Sequence, residues 1–409
     1  MIKNLLRHKV ELGLVLQFLC IQIVQVIRLY TERNDNYVTI FMILSLLMIF
    51  NFHGKLHINK QTFFLMSYQI IVIIMAVFAG ASMLGGPRSY SYTVFTLGAI
   101  IAMSTNKRID GEFFIKTLWV VSGTAVLIAM YYFMTNDVWQ FNSVTTTGDE
   151  LIVDRANMGV LPVVSLITIF VYRPKIWPVK IFNVLFAICS FYVLTIVNRR
   201  GLFISIILIL VLHLFLNGAK NRITINPKKM LIGVLIVVGC MIAYYRLPSV
   251  QEQLDRVIES VERALRTFTG QATGSEADMS SEIRYNLRSR ILDEMRNFTF
   301  VDWLIGKGYN AGWIDFPFLQ CFYDMGIPLG TFYILLQTII PFRFIILKRK
   351  NAANYEKLLF YLFLMNYINN FYSGTPYGIP KFMYVIPFYM DWMAVKRNEL
   401  KGVLNEKKD

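Results

Sequence analysis

TIVNRRGLFISIILIL, residues 195–210, decides the reading of this chain. Two adjacent arginines, Arg199 and Arg200, interrupt two long apolar runs. Arginine is costly in hydrocarbon, and short loops rich in Lys and Arg face the cytoplasm. The side of the membrane on which this pair lies therefore separates an ordinary topogenic loop from a working site.

The composition makes the membrane setting plain. Of the 409 residues, 56% are hydrophobic, 15% aromatic and 16% charged, and the mean hydropathy is +0.49. A soluble domain carries about 25% charged residues. The expectation is an all-α polytopic membrane protein without a large soluble domain. A net charge of +15 would suggest nucleic acid in a soluble protein. Here many of the cations fall in short loops between apolar runs, where they set topology, and no nucleic-acid partner is expected. Cys20, Cys189, Cys240 and Cys321 lie in or beside apolar runs, without ligand spacing, and read as packing residues. The basic N-terminus is not followed by a small-residue cleavage site, so the first apolar run reads as an uncleaved span.

A span needs about 20 apolar residues. Runs that fit lie near 10–27, 37–52, 62–84, 90–104, 112–134, 157–173, 177–197, 201–217, 229–246, 317–347, 355–373 and 378–395. With the N-terminus inside, the loops HGKLHINK, NKRIDGE, YRPKIWPVK, AKNRITINPKK and LKRKNAANYEK and the C-terminal tail are cytoplasmic, and each carries Lys or Arg. The external loops are mostly poor in them, as the positive-inside rule requires. This divides the chain into nine spans over 1–246, an external loop over 247–316, and three spans with a cytoplasmic tail over 317–409. The localisation expected is the cytoplasmic (inner) membrane, multi-pass.

Two external segments break the charge rule: Arg199-Arg200 and the long loop. Long loops cross regardless of charge, which accounts for the second. The first is only a few residues long, and its simplest alternative is headgroup anchoring by snorkelling. Within the loop, SVQEQLDRVIESVERALRTF places Val250, Leu254, Val257, Ile258, Val261, Leu265 and Phe268 on one helical face. This helix is expected on the membrane surface or over the external opening. GQATGSEADMSS reads as a break of small and polar residues, after which helical spacing resumes at Ile283, Leu287, Ile291 and Met295. Arg284 and Arg288 are four apart, so they share a face and repel. Either an anion between them or the nearby Glu282, Asp293 and Glu294 offsets that.

In this context VNRRGLF resembles the Ser-Arg-Gly element of the O-antigen ligase and Wzy-type polysaccharide polymerase superfamily. Arg200-Gly201 matches its Arg-Gly, and Arg199 stands where Ser is usual. The family's external-loop arginine, its Leu/Phe-x-Gly-x-Gly turn and its acidic-x-Gly element have counterparts in order. They are Arg288, LIGKGYNAG (304–312) and DFPFLQCFYDMGIPLG (315–330). Phe318-Leu319-Gln320 matches an apolar-Leu-Gln, and Asp324-Met325-Gly326 the acidic-x-Gly. Asp315 falls where the family has His, and Phe316 where Asn is common. The resemblance covers about residues 155–340 and leans toward polymerase, because polymerases vary more at these positions.

The resemblance implies glycosyl transfer on the external face of the membrane. The donor would be a glycan repeat on undecaprenyl pyrophosphate. A hydroxyl of another lipid-linked unit attacks its anomeric carbon, and undecaprenyl pyrophosphate leaves. Forked guanidinium hydrogen bonds suit a leaving diphosphate. Arg200, Arg288 and Asp315 are the expected catalytic residues, with Arg199, Arg284, Arg290, Asp324, Tyr309 and Asn157 as expected substrate contacts. Asp315 would act as base or only orient the acceptor, since an ordinary aspartate, pKa about 3.9, is a poor base at neutral pH. An acid such as Asp324 within a span is a functional candidate, with a salt bridge to an arginine as its alternative. Tyr309 and Trp313 would stack on sugar rings or anchor at the interface. No paired carboxylates or clustered external histidines suggest a metal, so neither metal nor cofactor is expected. Further partners would be membrane lipid and a chain-length regulator. A ligase acting on another acceptor, and a transporter or lipid flippase, are the alternative readings; no similarity between the two halves supports the latter.

Overall fold

A computed structural model of the chain describes residues 8–31, 37–83, 89–106, 109–136, 146–147, 150–151, 153–218, 251, 255, 258–259, 262, 266, 279–312, 314–348, 353–371 and 373–389. The described chain is helical apart from one antiparallel ladder of two residues on each side, β1 (Thr146–Thr147) and β2 (Glu150–Leu151). The helices in order are α1 (Lys9–Thr31), α2 (Tyr37–Ile49), α3 (Lys60–Phe78), α4 (Ser91–Ser104), α5 (Gly111–Thr135), α6 (Arg155–Val171), α7 (Trp177–Val197) and α8 (Arg200–Gly218). Within the 247–316 loop lie α9 (Met279–Arg296) and α10 (Phe300–Ile305), and after it come α11 (Pro317–Lys348), α12 (Asn354–Asn369), α13 (Ile379–Met383) and α14 (Ile386–Tyr389).

Among the described residues, five helices are long and apolar enough to cross a membrane: α1, α3, α5, α7 and the Pro317–Arg343 part of α11. α2, α4, the Ala156–Val171 part of α6 and the Gly201–His213 part of α8 are shorter apolar helices. The run at 229–246 lies outside the described residues, as do residues 270–278 of the break at 270–281 and most of the amphipathic stretch before it; the last three residues of the break are already helical, in α9. Residues 251, 255, 258, 259, 262 and 266 of that stretch are helical and exposed. The run at 378–395 is corrected in its described part. It forms two short helices broken at 384–385 instead of one span, where Pro387 has no N–H to give to the carbonyl of Met383 one turn back.

The packing follows from which helices hide their apolar surface. α1 is central, with 72% of its apolar window buried against α2, α5 and α6, whereas α3 and α7 bury only 33% of theirs. The outer faces of α3 and α7 are lined by exposed Phe63, Phe64, Ile74, Val184, Ile188 and Phe191. An exposed apolar surface of this kind belongs in lipid, where helices satisfy their own backbone. α12 packs on α5, α6 and α8 and contacts α11, which reaches α3 and α14. Side-chain caps fix several helix starts: Asn59 for α3, Asp110 for α5 and Asp154 for α6 each accept from an N-terminal N–H. Cys20, Cys189 and Cys321 are buried and free.

Contacts sort the described loops into two ends. At one end, Lys9 bonds to Phe50, the Asp110 N–H donates to Glu11, and the His57 N–H donates to Ser104. At the other, the Asp154 N–H donates to Gln25, Tyr309 to Ser89, and Arg288 to Phe371.

Candidate functional site

The site begins with a backbone device. The 304–312 loop and the 323–326 segment of α11 lie against each other, with Lys307 N–H donating to Tyr323 O (2.9 Å) and Gly308 N–H to Asp324 O (3.0 Å). Helical geometry in α11 breaks at Gly326, which has φ 72° and ψ −178°. A Cβ at Gly306 would lie 2.3 Å from the Asp324 backbone, and one at Gly326 would lie 2.6 Å from that of Leu304. Both positions therefore require glycine, for their positive φ and for the close approach.

Asp324 locks this junction. Its Oδ1 accepts from the N–H groups of Ala311 (3.1 Å) and Gly312 (3.2 Å), and its Oδ2 from Gln320 Nε2 (3.0 Å) and Tyr377 OH (2.9 Å). The carboxylate is fully buried. Neither sequence expectation for Asp324 describes it: no arginine is among these donors, and no face is open to a substrate. It staples the 304–312 loop to α11 and to the segment before α13. Tyr309 also differs from its expected role. It is buried, its ring lies 4.3 Å from that of Tyr377, and its hydroxyl donates to Ser89 O at 3.1 Å. Burial pushes its hydroxyl up to about 12. It is an internal strut with no face left for a sugar ring. Trp313 lies outside the described residues.

Above the staple, α9 is oriented by its apolar face. Ile291, Met295, Phe298, Ile314 and Tyr323 form a separate small core. This turns Arg284 and Arg288 toward Asp315 and Phe371. Arg284 Nε lies 3.4 Å from Asp315 Oδ2, and Asp315 Oδ1 accepts from the Gly374 N–H at 3.2 Å. Asp315 is itself in the left-handed region, φ 52°, a strained conformation of the kind that collects at functional sites. Arg288 donates to Phe371 O at 3.1 Å and stacks over the Phe316 ring, 4.7 Å from its centroid. Phe316 is thus a cation–π platform. Burial, then the neighbouring Arg284, push the Arg288 pKa down, and Asp315 opposes them. The guanidinium stays protonated regardless. Its Nε is buried without a partner among the described residues.

Sequence reasoning missed one member of this cluster. Lys381, at the foot of α13, is buried and donates to Ser373 O at 2.8 Å. Its signal was a lone lysine near the start of the 378–395 apolar run.

The other expected residues fall elsewhere. Arg290 is largely exposed on another face of α9, 3.6 Å from Glu294, and does not join the cluster. Asn157 donates to the Asp154 carboxylate at the start of its own helix. Asn198 ends α7 in the left-handed region, φ 47°, so that the chain turns at once into α8. Arg199 is half-buried in that turn, and its Cγ lies 3.5 Å from the Cβ position of Gly159. Arg200 opens α8, and its side chain lies outside the described residues. A cavity of about 870 Å³ at the other end of the bundle is lined by Lys116, Trp119, Arg173 and Tyr355, among others, and by none of the expected site residues.

Arg284, Arg288 and Lys381 around Asp315 make a cationic site with one carboxylate. Chemically it suits a phosphoryl group beside a hydroxyl. Comparison with protein-family models, curated proteins and solved structures finds no match to this chain.

Proposed function

We propose that this chain polymerises glycan repeat units carried on undecaprenyl pyrophosphate, at the external face of the cytoplasmic membrane. The observation that carries the reading is the gathering of Arg284 and Arg288 with Asp315 at one end of a helical bundle whose flanks are apolar. By the charge bias of the loops, that end is external. A diphosphate lipid headgroup would lie at the depth of such a site.

In the reaction, the acceptor hydroxyl oxygen forms a bond to the anomeric carbon of the donor. The bond from that carbon to the diphosphate oxygen breaks, and its electron pair leaves with undecaprenyl pyrophosphate. The transition state resembles an oxocarbenium ion. Arg284 and Arg288 stabilise the charge gathering on the diphosphate, strengthened by their partial burial. Asp315 orients the acceptor hydroxyl, and the released proton passes to it or to water. Arg200, in the VNRRGLF element, would add a further cation for the diphosphate in this reading.

The test is synthesis by purified protein in liposomes, given a lipid-linked repeat unit with EDTA present. A ladder of increasing length supports the reading. A single addition to a different acceptor makes the protein a ligase. Absence of any new glycosidic bond from folded protein with its cognate substrate overturns the enzyme reading and favours transport.

A further inference from the structure

Lys381 is a buried ammonium, 6% exposed, in a place that its own fold makes firm. Its backbone carbonyl accepts from Gln337 Nε2 at 2.9 Å and from Asn366 Nδ2 at 3.0 Å. The side chain therefore starts from a fixed point between α11 and α12. Its Nζ donates to Ser373 O at 2.8 Å, and among the described residues that is one of the three donors it carries. A neutral carbonyl does not neutralise a buried charge, and burying an uncompensated charge is costly. An anion supplied from outside would compensate it.

The surroundings name the anion. Nζ lies 3.7 Å from the Cβ position of Gly374, whose N–H donates to Asp315. Burial pushes the Lys381 ammonium down to about 7, Asp315 opposes this through space, and Asp315 also holds Arg284 at 3.4 Å. Arg288 bonds to Phe371 O, two residues before Ser373, and its buried Nε has no partner among the described residues. With Lys381 protonated, three cations lie around Phe371, Ser373, Gly374 and one carboxylate, a surplus of two positive charges. Among the described residues, Arg288 Nε has no acceptor and Lys381 Nζ bonds to Ser373 O. Guanidinium forks with an ammonium point charge suit adjacent phosphoryl groups.

We infer that Lys381 joins Arg284 and Arg288 as the third cation of one diphosphate-binding site. This rests on the glycosyl-transfer reading for its biological ligand, but the binding itself is measurable without any transfer.

The test is isothermal titration of the full chain in nanodiscs with inorganic pyrophosphate, and with undecaprenyl pyrophosphate in a second arm. Wild type should bind both, the lipid form more tightly if the headgroup is the natural source and equally if free diphosphate is. Lys381→Met should lose about tenfold or more in affinity, the scale of one charge-assisted hydrogen bond. Lys381→Arg should stay within about threefold. Lys381→Gln, which keeps a donor for Ser373, replaces the methionine variant if that one does not fold. Unchanged affinity in the folded neutral variants overturns the role of Lys381 even where polymer forms normally. Failure of wild type to bind either diphosphate overturns the site. Lys381-dependent binding without any polymer overturns the polymerase reading alone.

Discussion

Arg284 and Asp315, 31 residues apart in sequence, meet with Nε 3.4 Å from Oδ2 and with 27% of each side chain exposed. A half-open pair of this kind is worth about 0–1 kcal/mol to stability. Its effect on fold and its effect on function should therefore separate. Arg284→Ala and Asp315→Ala should each lower the melting temperature by no more than a few degrees, while transfer activity falls about tenfold or more. Calorimetry and product gels on the same preparations check this. A large loss of stability would mean that the pair holds the loop and does not serve the ligand.

Asp324 should behave in the opposite way. Asp324→Ala strips four donors of their acceptor in a buried place, at about 1–3 kcal/mol for each left unsatisfied. The expected outcome is gross instability. Asp324→Asn, with one acceptor oxygen left, should be intermediate. Protease cleavage within 304–312, compared across the three proteins, reads the effect at the staple itself.

Gly306 and Gly326 make the backbone contact that Asp324 locks. Alanine at either adds a positive-φ strain of about 1–3 kcal/mol and a Cβ inside contact distance of backbone atoms. Each substitution should cost more than about 2 kcal/mol. A double substitution should cost less than the sum, because the first already separates the strands of the junction. Thermal melts of the single and double variants decide it.

Tyr309 offers a test of strut against sugar platform. Tyr309→Phe keeps the ring contact with Tyr377 and loses only the bond to Ser89, so activity should stay within about twofold. Tyr309→Ala should cost about 3–5 kcal/mol of stability. Retained stability with lost activity in the alanine variant would restore the sugar-stacking role.

Thr299, Asp302 and Lys307 give a pH signature beside the site. Lys307, then Thr299, hold the Asp302 carboxyl below its ordinary value of 3.8. A depressed carboxylate contributes stability that is complete above the unfolded value and lost as pH falls through the folded one. Hydrogen exchange at 302–308 should therefore stay slow from neutrality down to about pH 4 and accelerate below it. Thr299→Ala should move that onset upward. An onset that does not move would show that the capping box contributes nothing here.

Much of this was legible in the sequence. The apolar runs from 10–27 to 201–217 became helices because each held both length and hydropathy. The Leu-x-Gly-x-Gly and acidic-x-Gly elements were legible as a motif, and the structure gives the reason for their glycines. The 378–395 run misled because hydropathy ignores Pro387. Periodicity put Arg284 and Arg288 on one face, but it could not set Arg290 apart from the cluster, since that depends on which face of α9 the Ile291–Tyr323 core turns inward. Lys381 was invisible for a related reason: its burial is produced by α11 and α12, far away in sequence.

Arg290 provides the control for the central claim. It shares α9 with Arg288 but is largely exposed and sits beside Glu294. The decisive measurement is the product ladder from a lipid-linked repeat unit, run side by side for wild type, Arg288→Ala and Arg290→Ala at matched amounts of folded protein. The account predicts a full ladder from wild type and Arg290→Ala and at least a tenfold loss in Arg288→Ala, as expected for a lost charge-assisted contact. Equal ladders from all three, or no ladder from wild type, would contradict it.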